Sequence, residues 1–213
     1  MRSLLAAALL TACATTTTVA VKPGPRGLRA SDHLVLAAQE EEAMHDREIV
    51  PGPVLIGVGG PDVRDVPVSM PWYRSWDGAE EHQRLAGIHR SAAAALEAQY
   101  DAACKGLGEP DAALSPLVRY AVGAWRVSSG AIVYLSPDAG PPDQLLARIR
   151  CHRAYMMLAP ANMDDCPLDL PDLELDARGD AGGITLSLTV RNAALVPELQ
   201  RRVEHELEAW ITR

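Results

Sequence analysis

The sequence predicts an α+β protein in which an N-terminal helical pair is followed by a ββαββα antiparallel sheet with its helices on one face. Helical periodicity occupies residues 31–48 and 79–105, and the C-terminal half twice repeats the order strand, turn, strand, helix. The composition is that of a folded protein, because 48% of the residues are hydrophobic and 23% are charged. This composition excludes wholesale disorder and leaves room for a core.

Both N-terminal helices carry a boundary signal. Ser31 and Asp32 offer an N-cap before an apolar run, and this cap predicts a helix from residue 31 to about residue 48. The second predicted helix ends before Gly106, because glycine is typical of the position that follows a helix. Residues 50–78 between the helices are too rich in proline and glycine for a regular helix, and only residues 54–58 read as a short strand.

The C-terminal half contains two predicted ββα units. The same number of positions separates Gly130 from His152 and Gly183 from His205, which indicates an internal repeat. Polar and apolar residues alternate in the last predicted strand, so one sheet face is expected to meet water and the other to be covered by the helices. The predicted elements are a hairpin at 125–127 and 131–135 with a helix at 142–158, and a hairpin at 173–177 and 184–190 with a helix at 196–210.

The N-terminal residues have the order of an export signal. Arg2 supplies a positive charge, residues 4–10 form an uninterrupted apolar run, and Leu-Thr-Ala-Cys follows at residues 10–13. The apolar run is shorter than the roughly 20 residues that a membrane-spanning helix needs, so it is predicted to be removed. The tetrapeptide resembles the lipobox of bacterial lipoproteins, in which the signal is cut before the cysteine and that cysteine is acylated, with palmitate among its chains.

This resemblance implies a mature chain that begins at Cys13 and is held to a membrane by lipid. Ala14 stands where an acidic residue is associated with retention in the inner membrane, which favours the periplasmic face of the outer membrane. An ordinary secretory signal with an incidental cysteine is the alternative. The predicted divisions are a signal peptide at 1–12, a lipidated tether at 13–30, a helical region at 31–110 with its insertion at 50–78, and a ββαββα domain at 111–213.

Three further cysteines are candidates for a disulfide bond. Cys104, Cys151 and Cys166 form an odd set in a compartment that oxidises thiols, so one disulfide and one remaining thiol are expected. The sequence does not choose among the three pairings. The short interval makes a bond between Cys151 and Cys166 easy to form, with a contribution of about 3 kcal/mol, and we expect this pair to prevail over metal binding.

The same interval collects soft metal ligands. Cys151, His152, Met156 and Cys166 are the predicted donors of a Cu(I) site, since thiolates and thioethers suit that ion. His152 and Met156 are four residues apart and would share one face of a helix. In the competing interpretation Met156 belongs to the core and Cys151 is bridged or buried. The two hypotheses compete for the same thiols.

Histidines on the N-terminal helices are predicted to be structural. His82 and His89 lie seven residues apart on one stripe, and the helical rise separates them by about 10 Å, which is too far to chelate one ion. We predict that they make polar contacts between helices or at the surface, and that His33 is solvated.

A second set of residues covers about half of the mature chain. The set comprises the segment 82–90, the alanine-rich segment 92–96, Cys104, Cys151 with His152, and the segment 166–168. These residues resemble those of small bacterial envelope lipoproteins that carry a histidine-containing, alanine-rich helix ending in cysteine. No activity follows from this resemblance, and the insertion at residues 50–78 departs from it.

No catalytic motif is complete in the sequence. There is no GxSxG elbow, phosphate-binding loop or CxxC, and the segment that begins at His205 has Ala209 where a zinc-protease helix needs its second histidine. A net charge of −8 opposes nucleic-acid binding. We therefore predict a lipid-anchored envelope protein with a non-catalytic binding or scaffolding role, an envelope protein as partner and no cofactor. A periplasmic Cu(I)-binding protein is the alternative, and an envelope enzyme is the third interpretation.

Overall fold

The computed structural model describes residues 21, 23–47, 78–108, 112–158, 163, 165–180 and 182–211. The predicted signal peptide, Cys13 and the short strand at 54–58 lie outside these described residues. None of the helices within the described residues is long and apolar enough to cross a membrane.

The two N-terminal helices form a pair, as predicted, and the structure shows that they run antiparallel, since His33 meets His89 and Glu40 meets His82. Helix α1 spans Ala30–Arg47 and α2 spans Gly78–Ala103. Ala37, Ala86 and Ala93 are buried between them, and their small side chains allow the two helices to pack closely.

The C-terminal half forms the predicted α+β domain. A short helix at its start was not predicted, because five residues are too few to show a period. The elements are α3 (Pro116–Tyr120), β1 (Ala121–Val127), β2 (Gly130–Leu135), α4 (Pro142–Met156), β3 (Leu173–Asp180), β4 (Gly183–Val190) and α5 (Val196–Ile211), with 3-10 turns at Pro137–Ala139, Pro167–Asp169 and Ala193–Leu195.

The four strands form one antiparallel sheet in the order β1-β2-β4-β3. Burial alternates along β4, with every second residue buried from Ile184 to Val190. This alternation confirms that one face packs on the core while the other is partly open. Strand β1 begins at Ala121, four positions before its predicted start, and its register shifts between Ala121 and Gly123.

Both long helices of the domain cover the same face of the sheet. Leu145 of α4 and Leu199 of α5 are fully buried, and both belong to one core with Leu186 of β4. The predicted fold class is therefore confirmed. Since β2 and β4 are the central strands, the two ββα units share a continuous core rather than forming two separate ones.

The last residues of the predicted tether contact the domain. The Arg26 guanidinium donates to the buried Asp169 carboxylate at 2.6 Å and to the Arg153 carbonyl at 2.6 Å. The backbone N–H of Ala30, the first residue of α1, donates to the Met157 carbonyl at 2.8 Å. Residues 23–30 therefore connect α1 to the end of α4.

Candidate functional site

The cysteines form one disulfide and leave one thiol, as predicted, but the pairing differs. Cys104 is bonded to Cys151, with the two Cα atoms 4.6 Å apart, and Cys166 is free. The pair favoured by the short interval, Cys151 with Cys166, is therefore not formed. The reason is helical geometry, since consecutive residues on α4 point about 100° apart. Cys151 meets the end of α2, and its neighbour His152 lies beside Cys166.

His152 is a buried, neutral imidazole with a defined tautomer. Its Nδ1 lies 2.7 Å from the carbonyl oxygen of Ala112, so Nδ1 must carry the proton that it donates. Burial lowers the pKa of His152, and this hydrogen bond only partly opposes the effect. The lone pair of Nε2 is then free to accept from the Cys166 thiol, whose Sγ lies 3.7 Å away.

Cys166 is held as a thiol. Burial raises the pKa of the Cys166 thiol far above its ordinary value, and the nearby Glu206 carboxyl raises it further. The Cys166 side chain is therefore protonated at neutral pH. A protonated thiol is a weak nucleophile, so the cysteine and histidine do not form an activated catalytic pair in this arrangement.

Glu206 and Ser115 complete this group, which we call the buried polar cluster (Ser115, His152, Cys166 and Glu206). Burial raises the pKa of Glu206 to about 7, although a hydrogen bond from the Ser115 hydroxyl opposes the rise. The Oε2 atom of Glu206 is buried and has no hydrogen-bond partner among the described residues. Ser115 also caps α3 by accepting from the N–H of Leu117 at 3.3 Å. The cluster thus joins α3, α4, α5 and the turn at Cys166.

The structure brings together two of the four predicted copper ligands. His152 and Cys166 are adjacent, whereas Cys151 is committed to the disulfide and Met156 is 1% exposed in the apolar core. No three histidine, cysteine, aspartate or glutamate side chains converge on a metal position in the part of the chain that the structure describes. Cu(I) binding stays a prediction, and it now depends on two donors.

A second feature is an apolar groove between β1 and α5, the β1–α5 groove. It has a volume of about 140 Å³. An ion pair stands at its rim, where Arg126 of β1 donates to Glu204 of α5 at 2.5 Å. The apolar residues that line it are Ala124, Trp125, Ala131, Val203 and Leu207.

Strand β1 itself exposes large apolar side chains. Val122 is 66% exposed and Trp125 is 51% exposed. The Trp125 ring packs on Tyr134 of β2, with ring centroids 4.0 Å apart. Trp125 pairs with Ile132 of β2, so both side chains lie on the same face of the sheet. The residues on either side of Ile132 face the core, so Ile132 and Trp125 lie on the face opposite the helices. One edge of the sheet therefore presents apolar surface on both sides.

The residues that sequence reasoning missed are Ser115, Glu206, Val122 and Trp125. Glu206 was noticed only within the incomplete zinc motif, and its burial depends on how α5 packs against α3. The exposure of Trp125 follows from the position of β1 at the sheet edge, which no local pattern encodes. The signal available in the sequence was the near absence of charge in β1, in contrast with the charged residues of β3.

Comparison with known proteins adds no assignment. No protein-family model matches the chain, and no curated protein or solved structure matches it at a significant level.

Proposed function

We propose that the chain is a lipid-anchored bacterial envelope protein whose C-terminal domain binds an extended segment of a partner protein along strand β1. The observation that carries this proposal is the exposure of Val122 and Trp125 on an edge strand, next to the β1–α5 groove. An edge strand offers unpaired N–H and C=O groups to a further strand, and an extended peptide satisfies them.

The contrast between the two edges of the sheet supports β1 as the binding edge. Strand β3 at the opposite edge exposes Glu174, Asp176 and Arg178, side chains of the kind that prevent strand addition. Strand β1 carries one charged residue, Arg126, and that residue is paired with Glu204 of α5. The sheet is therefore protected against pairing at one edge and suited to it at the other.

The groove supports an apolar peptide as the occupant. Alternate side chains of a strand added to β1 would point to the helix-covered face, where Ala124, Val203 and Leu207 offer apolar contacts. Side chains of the opposite parity would lie beside Trp125 on the open face. These surfaces fit an extended partner segment in which every second residue is apolar, with no charged side chain where the segment meets the β1–α5 groove.

The N-terminal sequence supports the lipid anchor. Residues 4–10 with the Leu-Thr-Ala-Cys sequence at residues 10–13 resemble a lipoprotein signal, and acylation at Cys13 would place the domain at the membrane surface. The outer membrane, on its periplasmic face, is the location that Ala14 favours.

A non-catalytic role agrees with the state of the buried polar cluster, because a protonated thiol beside a neutral imidazole is a packing arrangement. The second candidate function, Cu(I) binding, is supported by one observation, which is the proximity of the His152 and Cys166 donors.

Photo-crosslinking in cells tests the binding edge. A photoreactive residue is placed at Val122, and a matched one at Asp176 on the protected edge β3. We expect the Val122 probe to join one defined protein, and a synthetic peptide from the crosslinked segment to bind the purified chain and slow amide exchange in residues 121–127. Val122→Lys should abolish peptide binding, and Asp176→Lys should leave it unchanged.

Three results would contradict the proposal. They are equal crosslinking from both edges, a crosslinked segment that protects a different part of the chain, and a homodimer joined through β1. The anchor is tested separately, because Cys13→Ser should release the chain from the membrane fraction or leave an uncleaved precursor. Unchanged partitioning with an acyl-free N-terminus would end the lipoprotein interpretation.

A further inference from the structure

Helices α1 and α2 bring two imidazole rings into contact, with their ring planes tilted by 39°. The Nδ1 atom of His33 lies 3.0 Å from the Nδ1 atom of His89, a hydrogen bond whose proton a metal ion would displace, and the ring centroids are 5.3 Å apart. Both side chains are half-buried, so solvent reaches them. The prediction that His33 is solvated is therefore incomplete, because its ring contacts His89. His89 makes the predicted contact between helices. Neither belongs to the buried polar cluster or to the β1–α5 groove.

We propose that His33 and His89 form a two-histidine site that binds Cu(II) through both Nδ1 atoms. Imidazole nitrogens bind first-row metals at about 2.1 Å, so two nitrogens 3.0 Å apart subtend an angle of about 90° at the ion. This angle matches adjacent corners of the tetragonal geometry of Cu(II) or Ni(II). A tetrahedral zinc ion would need the nitrogens about 3.4 Å apart.

The surroundings suit a cation with water as its remaining ligands. Asp32, next to His33 on α1, places a negative charge near that ring. Because Ala37 and Ala86 pack the helices together, the backbone holds the rings in place before metal arrives.

A third histidine in the same helix pair provides a matched control. His82 of α2 also reaches across to α1, but its Nδ1 lies 2.5 Å from the Oε2 of Glu40 and so is already engaged with a carboxylate. Removing His82 changes the helix interface to a similar extent without touching the proposed metal ligands. This site is independent of the proposed partner binding, because it lies on different elements.

The test is metal binding by the full chain, purified in detergent without a histidine tag. The chain is titrated with Cu(II) against glycine as a competing chelator, and then with Ni(II), which a thiol does not reduce. We expect one Cu(II) per chain with an axial electron paramagnetic resonance spectrum that shows nitrogen coupling. His33→Gln and His89→Gln should each weaken binding by at least about tenfold, whereas His82→Gln should leave it unchanged.

A second measurement needs no variant and so does not depend on their folding. Diethylpyrocarbonate modifies accessible imidazoles, and bound Cu(II) should protect His33 and His89 while His82 and His205 react as before. The proposal is overturned if both glutamine variants retain the site, if His82→Gln removes it equally, or if Cu(II) leaves the reactivity of His33 and His89 unchanged.

Discussion

The Nε2 atom of His152 lies 3.7 Å from the Sγ atom of Cys166, while Nδ1 of the same ring donates to the Ala112 carbonyl. The hydrogen bond at Nδ1 fixes the tautomer, so Nε2 can only accept, and the thiol is the donor. Glu206 adds a carboxyl group whose pKa burial raises to about 7, so this group is mainly protonated below that pH. Below about pH 7 the buried polar cluster is therefore a set of neutral groups, and its pH response follows from the ionisation of Glu206.

Glu206 makes the folded state less stable as pH rises. Its folded pKa is about 7 while its ordinary value is 4.5, so the unfolded chain releases the proton first. The free energy of unfolding should fall between about pH 4.5 and about pH 7 by on the order of 3 kcal/mol and then level off. Glu206→Gln should remove this dependence and be more stable than the wild type above pH 7, as measured by urea unfolding at pH 5 and pH 8.

The matched control for this prediction is Glu204→Gln on the same helix. A hydrogen bond from Arg126 lowers the pKa of Glu204, so this replacement cannot stabilise the protein at high pH. Equal gains at pH 8 from the two variants would show that burial of Glu206 is not the cause.

Features that depend on neighbouring residues in the chain could be predicted from the sequence, whereas features that depend on contacts between distant elements could not. The alternation in β4 and the helical period of α5 are written in consecutive residues, so both elements were predicted closely. The disulfide pairing was not predicted, because it depends on the rotation of α4 about its axis. That rotation points Cys151 toward Cys104 and His152 toward Cys166. The exposure of β1 depends on strand order, which is a property of the whole sheet.

The Cys104–Cys151 bond should be the main covalent contribution to stability. It closes a sequence separation of 47 residues, which the loop-entropy model values at about 4 kcal/mol. The double variant Cys104→Ser, Cys151→Ser should lose several kcal/mol in denaturant unfolding. Alkylation in denaturant without reductant should label Cys166 and leave these two cysteines unlabelled. A label on Cys104 with Cys166 protected would contradict the observed pairing.

Asp169 should be essential for attaching residues 23–30. Its carboxylate is 2% exposed and accepts from Arg26, with Arg29 3.8 Å away. Asp169→Asn removes the counter-charge of the largely buried Arg26 guanidinium and should destabilise the fold by about 3 kcal/mol, with faster amide exchange at Ala30. Asp176→Asn removes an exposed ion pair with Arg178 and should change stability by under about 1 kcal/mol. Similar losses in the two variants would refute the argument.

Gly183 should be required for the turn between β3 and β4. Its φ is +137°, and a Cβ atom there would lie 2.3 Å from the Leu135 carbonyl oxygen. Gly183→Ala should therefore shift the neighbouring strand β2 or prevent folding, with a lower melting temperature by circular dichroism. Gly123→Ala is the control, because nothing lies within 4 Å of its added Cβ and its φ is not positive. A melting temperature unchanged by Gly183→Ala would show that the hairpin turn differs from this geometry.

Cu(I) binding by the predicted soft ligands should be weak. The disulfide holds Cys151, the core holds Met156, and the pKa of Cys166 is raised by burial, so the strongest remaining donor must lose a proton at high cost before it binds metal. We expect the oxidised chain, titrated with Cu(I) under a competing chelator, to bind no better than Cys166→Ser. This single variant is the correct comparison, because replacing Cys151 would release the Cys104 thiol as a new ligand. Stoichiometric Cu(I) capture that Cys166→Ser and His152→Gln both abolish, while their circular dichroism spectra stay native, would make the copper-binding interpretation the leading one.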